Sequence, residues 1–364
     1  MIDFRYHIVS LISVFLALAV GIILGAGPLK ETIGDQLTGQ VDQLRAEKED
    51  IRNQLDEESK KRSDIEEFVS AASKRVARDT LMERRVAVVQ LGDVSDDLYE
   101  AVEAQLINAG ATVPARVSIG SAWTDADQAD ARQSYATSLA DYLPADQREL
   151  SSDKLLAAAL IMSMTEYAET TADELSSNAG LAMDVLQGAN LVKLVKFEGI
   201  PVDAVVIIDN SNASAAGEES PDLSVASALE MNIAQAAARG TEGVVVSSPR
   251  IVATDLISSI REDASTLKIV ATVTGVDQPV GLLNTPLALS AAIGKKVGHF
   301  GFESSATALV PAAVTLSAPE RTLPVPPEAA EGDANDANAQ DDAAQQGDGG
   351  SNAKENAGKE KAKG

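Results

Sequence analysis

Side chains that ligate soft metals or attack electrophiles are scarce in this sequence: cysteine is absent, and the two histidines, His7 and His299, lie on opposite sides of a long apolar run. Without cysteine there is no thiolate nucleophile, no thiolate metal site and no disulfide frame. No GxSxG elbow occurs, so a Ser–His hydrolase would rest on His299 alone, with no sign of its nucleophile. His299 stands in Val-Gly-His-Phe-Gly, whose glycines favour a tight turn and a structural role. Met162 and Met164 are soft thioethers flanking Ser163 in a helical segment, but residues two apart on a helix project to different sides. They would share a metal only if that segment were irregular. Asp93 and Asp209 each follow a strand-like run, and in a parallel sheet they would converge at the carboxyl edge where ligands bind. Helix capping accounts for such acids as readily. The turn from Leu91 to Asp97 has one glycine and places three carboxylates where a phosphate would sit, which disfavours a dinucleotide. No catalytic set, metal set or cofactor is expected, and the chain reads as non-enzymatic.

The elements that would carry these residues alternate. Val86 to Leu91 reads as a buried strand, followed by a helix that Ser95 caps and Gly110 ends, then a strand from Ala111 to Ile119. Strand Ala204–Ile208, helix Leu223–Arg239, strand Gly243–Ser247, helix Thr254–Glu262 and strand Leu267–Val273 repeat the pattern. Such alternation predicts an α/β fold: a Rossmann-like, mostly parallel sheet with helices on its faces. The helical stretch Ser151–Gly188 interrupts it and reads as an insertion on one side. Strand-like text continues from Pro311 to Leu316.

Ahead of that domain, Ile8 to Gly27 carries no charge over about 20 residues, enough to cross a hydrocarbon core at about 1.5 Å per residue. The run is longer than the apolar region of a cleaved signal peptide, has only Arg5 as a basic residue before it, and meets Pro28 at its small-residue end. It therefore reads as a retained membrane helix. Ser13, Ala17, Gly21 and Gly25 fall four apart, a small-residue ladder that lets two helix backbones approach.

From Leu37, positions alternating four and three apart read Leu37, Val41, Leu44, Lys48, Ile51, Leu55, Glu58, Arg62, Ile65, Val69, Ala72 and Val76. Nine of these twelve are apolar, a heptad pattern that specifies a left-handed coiled coil with a polar break at Glu58 and Arg62. The interface residues are then Leu37, Val41, Leu44, Ile51, Leu55, Ile65, Val69 and Val76, and a homodimer through stalk and membrane helix is expected. The chain thus divides into a cytoplasmic stub (1–7), a transmembrane helix (8–27), a coiled coil (30–82), an α/β domain (84–316) and a disordered acidic C-terminal tail (317–364). The tail's Pro, Ala, Asp, Asn, Gln and Gly offer no apolar period with which to offset ordering entropy.

The formal charge of -25, from 55 acidic against 30 basic residues, repels phosphate backbones, and aromatics at 3% leave no stacking platform. Nucleic acid is not an expected partner. A protein of the cell envelope is, because an anchored coiled coil suits the positioning of cell-wall enzymes, and regulation of cell-wall hydrolysis or cell separation is the alternative function.

The N-terminal text FRYHIVSLISVFLALAVGIILGAG, running at once into a coiled coil, resembles the signature of the actinobacterial MctB-like copper transporter family. The segment GKKVGHFGFES resembles that family's glycine–histidine segment before its last strand. The resemblance spans Met1 to about Leu316 and implies a role in copper homeostasis, including efflux across the envelope. Copper enters as a partner from the family alone. The residues themselves supply one apolar helix and a soluble-type domain, rather than the many alternating segments of about ten residues that build a transmembrane barrel.

Orientation follows from charge. Arg5 and the amino terminus outweigh Asp3, whereas Lys30 is offset by Glu31 and Asp35, which places the N-terminus in the cytoplasm and the bulk of the chain outside. A reporter active only outside the cytoplasm is expected to work when fused after Leu316 and to fail when fused before Ile8; the reverse pattern would overturn the orientation.

Overall fold

The computed structural model describes residues 4–26, 28–210, 221–250 and 255–321. Most of the segment expected to form the acidic tail, from residue 322 onward, lies outside the described residues, as do the stub's first three residues. Helix α1 (Phe4–Ala26) is apolar after its first turn, its central residues are exposed, and it is long and apolar enough to cross a membrane. Helix α2 (Pro28–Val76) is 49 residues long and polar on most of its surface. At about 1.5 Å per residue it reaches roughly 70 Å, well beyond the width of the domain that follows.

That domain begins with strand β1 (Arg85–Gly92), helix α3 (Asp96–Asn108) and strand β2 (Thr112–Ile119). Ser95 caps α3 by accepting the Leu98 amide, and Asp96 and Asp97 face the positive end of its dipole. Helices α4 (Ala129–Leu139), α5 (Ser152–Thr165) and α6 (Ser177–Gly188) then precede strand β3 (Val192–Phe197). Strand β4 (Ala204–Asn210), helix α7 (Pro221–Gly240), strand β5 (Gly243–Ser248), helix α8 (Leu256–Glu262), strand β6 (Ala271–Thr274), helix α9 (Pro279–Ile293) and strand β7 (His299–Phe300) complete the chain.

The seven strands form one open sheet in the order β3-β2-β1-β4-β5-β6-β7, parallel except for β3. The expected mostly parallel α/β fold is present. Ala87, Val89 and Leu91 of β1 face one core with α5 to α8, and Val86 and Val88 face a second core with α3 and α9. Both faces are therefore covered, which is why the central strands read as unbroken apolar runs rather than alternating ones.

Several expectations change. The stretch Ser151–Gly188 does lie on one side of the sheet, but as part of the core: every residue of α5 from Leu155 to Met164 is buried, among α4, α6 and α7. A helix apolar on all sides must sit inside the core, and this one forms its centre on that face. The strand expected at Leu267–Val273 starts only at Ala271, because Asp263 binds the Ser265 and Thr266 amides and hydroxyls and holds a 3-10 turn over Thr266–Lys268. Those bonds hold the Asp263 carboxyl well below the usual carboxylate range. Residues 311–316 form no strand, although Leu316 packs on the second core. The antiparallel edge strand β3 went unread, since its alternation of Lys193 and Lys196 with apolar residues is short; the lysines protect that edge from further pairing.

Residues 317–321, expected to belong to the tail, are tied to the domain. Arg84 donates to the Ser317 carbonyl at 2.9 Å, and Arg321 binds both carboxylate oxygens of Asp203 at 3.1 and 2.7 Å. Asp203 is almost fully buried and also accepts the Arg85 amide at 2.8 Å. Removing Arg321 leaves a buried carboxylate without its cation, a loss of about 1–3 kcal/mol for a pair that is partly open on the arginine side. A chain ending at Arg321 is expected to melt with the parent, and a chain ending at Ala318 to melt clearly lower; thermal melts of the two truncations check this, with Arg321→Ala reproducing the second.

Candidate functional site

The seam residues of the stalk lie on one unpartnered face. Leu37, Leu44, Ile51, Leu55 and Ile65 are each about two-thirds exposed, and Val41 about one-third. Between them the helix is held by its own charge pairs: Lys61 with Glu57 and Glu58 at 3.0 Å, and Arg62 with Glu66 at 2.7 Å. Exposed pairs of this spacing favour helix but do not hide the apolar seam. The polar layer at Glu58 and Arg62 is thus engaged within the helix.

The last part of the seam behaves differently. Val69 and Ala72 are half-buried, and Ser73 and Ala77 fully buried, because this end of α2 packs on α9. Val76 points away and is 54% exposed. Two of the twelve heptad positions are therefore turned against the chain's own domain, and the free seam ends at Ile65. Sequence spacing alone cannot show this, since a heptad is blind to which apolar surface it meets. Where the two surfaces part, Ile65 and Val69 face Pro279, Val280 and the exposed ring of Phe302 across a groove of about 360 Å³.

The junction is rigid. After Val76 the chain turns through Asp79 and Glu83, both at positive φ, and the Leu81 and Glu83 amides bond to the Ala109 and Gly110 carbonyls. Gly110 itself has φ +90°, and a Cβ there would lie 3.1 Å from the Met82 backbone. Only glycine suits that position. In α1, Ser13, Ala17, Gly21 and Gly25 are exposed, and the Gly21 and Gly25 positions have open space around them. Ser13 returns its hydroxyl to the Val9 carbonyl at 2.8 Å, which satisfies the hydroxyl within the helix.

The residues with potential chemistry are placed as follows. Met162 and Met164 sit in a regular helix; Met162 lines a cleft, whereas Met164 is fully buried in the core. They do not form a shared site. Asp93 and Asp209 do reach the same edge, at the switch point between β1 and β4, where Leu91 pairs with Asp209 and Gly92 with Asn210. Asp93 is exposed there, its carbonyl accepts the Asn210 side chain at 2.6 Å, and Asp209 is buried with a partner of its own. Among the described residues no group of three or more His, Asp or Glu is arranged to hold a metal ion.

His299 lies in strand β7 rather than in a turn. Its Nε2 meets the Leu267 carbonyl at 3.0 Å, and a carbonyl only accepts, so this nitrogen carries the proton. Nδ1 then accepts the Thr272 hydroxyl at 2.9 Å, while Thr272 in turn accepts Arg261 Nε at 2.9 Å. Both ring nitrogens are used. Arg261 continues to Glu303 and Ser305, and Thr274 donates to Glu303 at 2.7 Å. Burial opposes the Glu303 charge, but the Thr274 hydroxyl and the Arg261 guanidinium outweigh it and keep that carboxyl below the usual glutamate range. This cluster was not legible in the sequence, because its members come from α8, β6, β7 and the following loop.

Burial and the neighbouring Arg261 cation lower the His299 pKa below its ordinary value near 6.5. The unfolded chain then binds more protons at that site than the folded one, so this contribution is complete at neutral pH and is lost as pH falls below about 6.5. Melting temperature is expected to decline between about pH 7 and pH 5, and His299→Gln, which retains one donor and one acceptor, to flatten that decline. An unchanged slope in the variant would remove His299 as its source.

Residues 1–311 match the family described as copper transport outer membrane protein, MctB. The copper transporter MctB of Mycobacterium tuberculosis is 30% identical over 319 residues, covering 83% of this chain and 96% of that protein, and the Mycobacterium bovis protein of the same name matches to the same extent. The Mycobacterium leprae copper transporter MctB is 32% identical over 145 residues, covering 38% of this chain and 44% of that protein. With a match that runs from the apolar helix to the last strand, the chain belongs to the MctB family of copper transport outer membrane proteins.

Proposed function

We propose that the protein is a non-enzymatic, single-pass membrane protein of the cell envelope, its N-terminus cytoplasmic, that acts in copper homeostasis as a dimeric scaffold. The carrying observation is the exposed apolar seam from Leu37 to Ile65 on a long helix that lies between an apolar span and a folded domain. Six apolar side chains per chain, each contributing about 1.5–3 kcal/mol when fully buried, outweigh the roughly 4–15 kcal/mol of freedom lost on association. Lys48 and the Glu58–Arg62 layer cost some of that gain and favour one register. The small-residue face of the span supports the same pairing by letting the two membrane helices approach.

Copper enters through the family, whose mycobacterial members carry the name copper transporter. Transport through this chain's own sheet has no support in its shape: the sheet is open, with β3 and β7 at its edges and helices over both faces, rather than closed into a barrel. The scaffold reading instead assigns the domain to docking another envelope protein, with metal movement as the work of the assembly.

The full chain in detergent is expected to sediment as a dimer at micromolar concentration, and Leu44→Asp with Ile51→Asp to convert it to a monomer whose domain melts as before. Both positions are d sites of adjacent heptads, so each substitution sets two carboxylates against one another in an apolar seam. Because the chain has no cysteine, Leu44→Cys offers an independent check: oxidation is expected to cross-link two chains. A monomeric parent that fails to cross-link would sink the proposal.

A further inference from the structure

We propose that the cleft between α5 and α7 binds a short peptide with free termini, laid out in extended form. The cleft has a volume of about 510 Å³, within the range of small-ligand sites. Its floor is apolar: Ala158, Ile161 and Met162 from one face of α5, and Ala236 from α7. Gly240 sets its depth at one end, since a Cβ there would lie 2.9 Å from Ile161 Cγ2.

The rim carries both signs of charge. Lys154 stands in the first turn of α5, and the loop leading into that helix adds Asp146. At the other end, Arg239 in the last turn of α7 faces Thr165 and Glu166. Among the described residues neither Lys154 nor Arg239 has a hydrogen-bond or ion-pair partner, although both line the same cleft as two carboxylates. Glu166 takes the Ser176 hydroxyl at 2.7 Å on one oxygen and keeps the other. Gln235 gives its amide nitrogen to Thr266 at 2.7 Å, which leaves its carbonyl as an acceptor. Asn232 adds an amide that both donates and accepts.

Donors and acceptors beside apolar lining residues match a peptide backbone with an apolar side chain. The charged ends match its terminal ammonium and carboxylate. From Lys154 to Thr165, the residue before Glu166, is eleven helical steps, about 17 Å, the length of about five extended residues. Other ligands fit worse. A phosphate brings no cation to pair with the two carboxylates, the polar rim leaves hydrogen-bonding groups unmet against a bare acyl chain, and Met162 is the single sulfur in the lining.

Calorimetry of the full chain in detergent with the pentapeptide Ala-Ala-Leu-Ala-Ala tests this. One peptide per chain is expected to bind, and binding to weaken about tenfold or more in Arg239→Ala and when the peptide's carboxylate is capped as an amide. Arg239 and Lys154 are exposed, so their substitution leaves the melting temperature in place as a control. Absence of binding at millimolar peptide would overturn the proposal. So would affinity unchanged in the Arg239→Ala, Lys154→Ala double variant, or tighter binding of hexanoate than of the peptide, the outcome of a simple anionic-amphiphile site.

Discussion

The carboxylate of Asp203, buried at the amino edge of the sheet, is the constraint on which the arrangement turns. A charge in that position is tolerated only with dedicated donors, and it takes them from two distant parts of the chain: the Arg85 amide, where the stalk hands over to β1, and the Arg321 guanidinium, at the far end of the described domain. The neighbouring Arg84 extends the set to Glu242 at 2.9 Å and to the Ser317 carbonyl. Arg85 reaches Asp173 and the Ala172 carbonyl in the segment between α5 and α6. Stalk exit, central strands and final segment are thus fastened at one edge by mutual need of charge.

That fastening bears on function. A stalk joined to its domain by a loose linker would carry no orientation, whereas here the Ala77–Arg85 turn is held by backbone bonds to the α3–β2 corner and by the burial of Ala77 and Leu81. The end of α2 is further seated on α9. The turn thereby sets the direction of α2 relative to the α/β domain. The same seating limits the seam: an apolar position spent on α9 is not available to a second helix.

Residues that elsewhere do chemistry are used here for structure. His299, Arg261, Glu303 and two threonines bond to one another within the sheet edge, with Arg261 Nη2 left buried without a partner, and Gly301 makes room for this, since a Cβ there would lie 2.0 Å from Thr274 Oγ1. Histidine at that place stabilises a strand of only two residues, which has little backbone pairing of its own. Tyr99 follows the same logic: buried under the Arg116 guanidinium at 3.7 Å, its hydroxyl is pushed well above the usual tyrosine range by burial, then by Glu103, and stays protonated.

By itself the sequence determined what depends on local pattern: an uncharged apolar run long enough to span, a heptad repeat, a serine cap at Ser95, and the strand–helix alternation of a parallel sheet. These are properties of neighbours three to seven residues apart, and burial on both faces makes the strands read as continuous apolar runs. Tertiary structure decided everything that rests on residues far apart. It placed α5, read only as an insertion on one side, at the centre of a core, and turned Val69 and Ala72 toward the domain. It also gathered His299 with Arg261 and brought Arg321 back across the chain to Asp203. An apolar face states only that it must be covered, and a buried charge only that it must be paired. Which surface does the covering, and which cation the pairing, is settled when the whole chain packs.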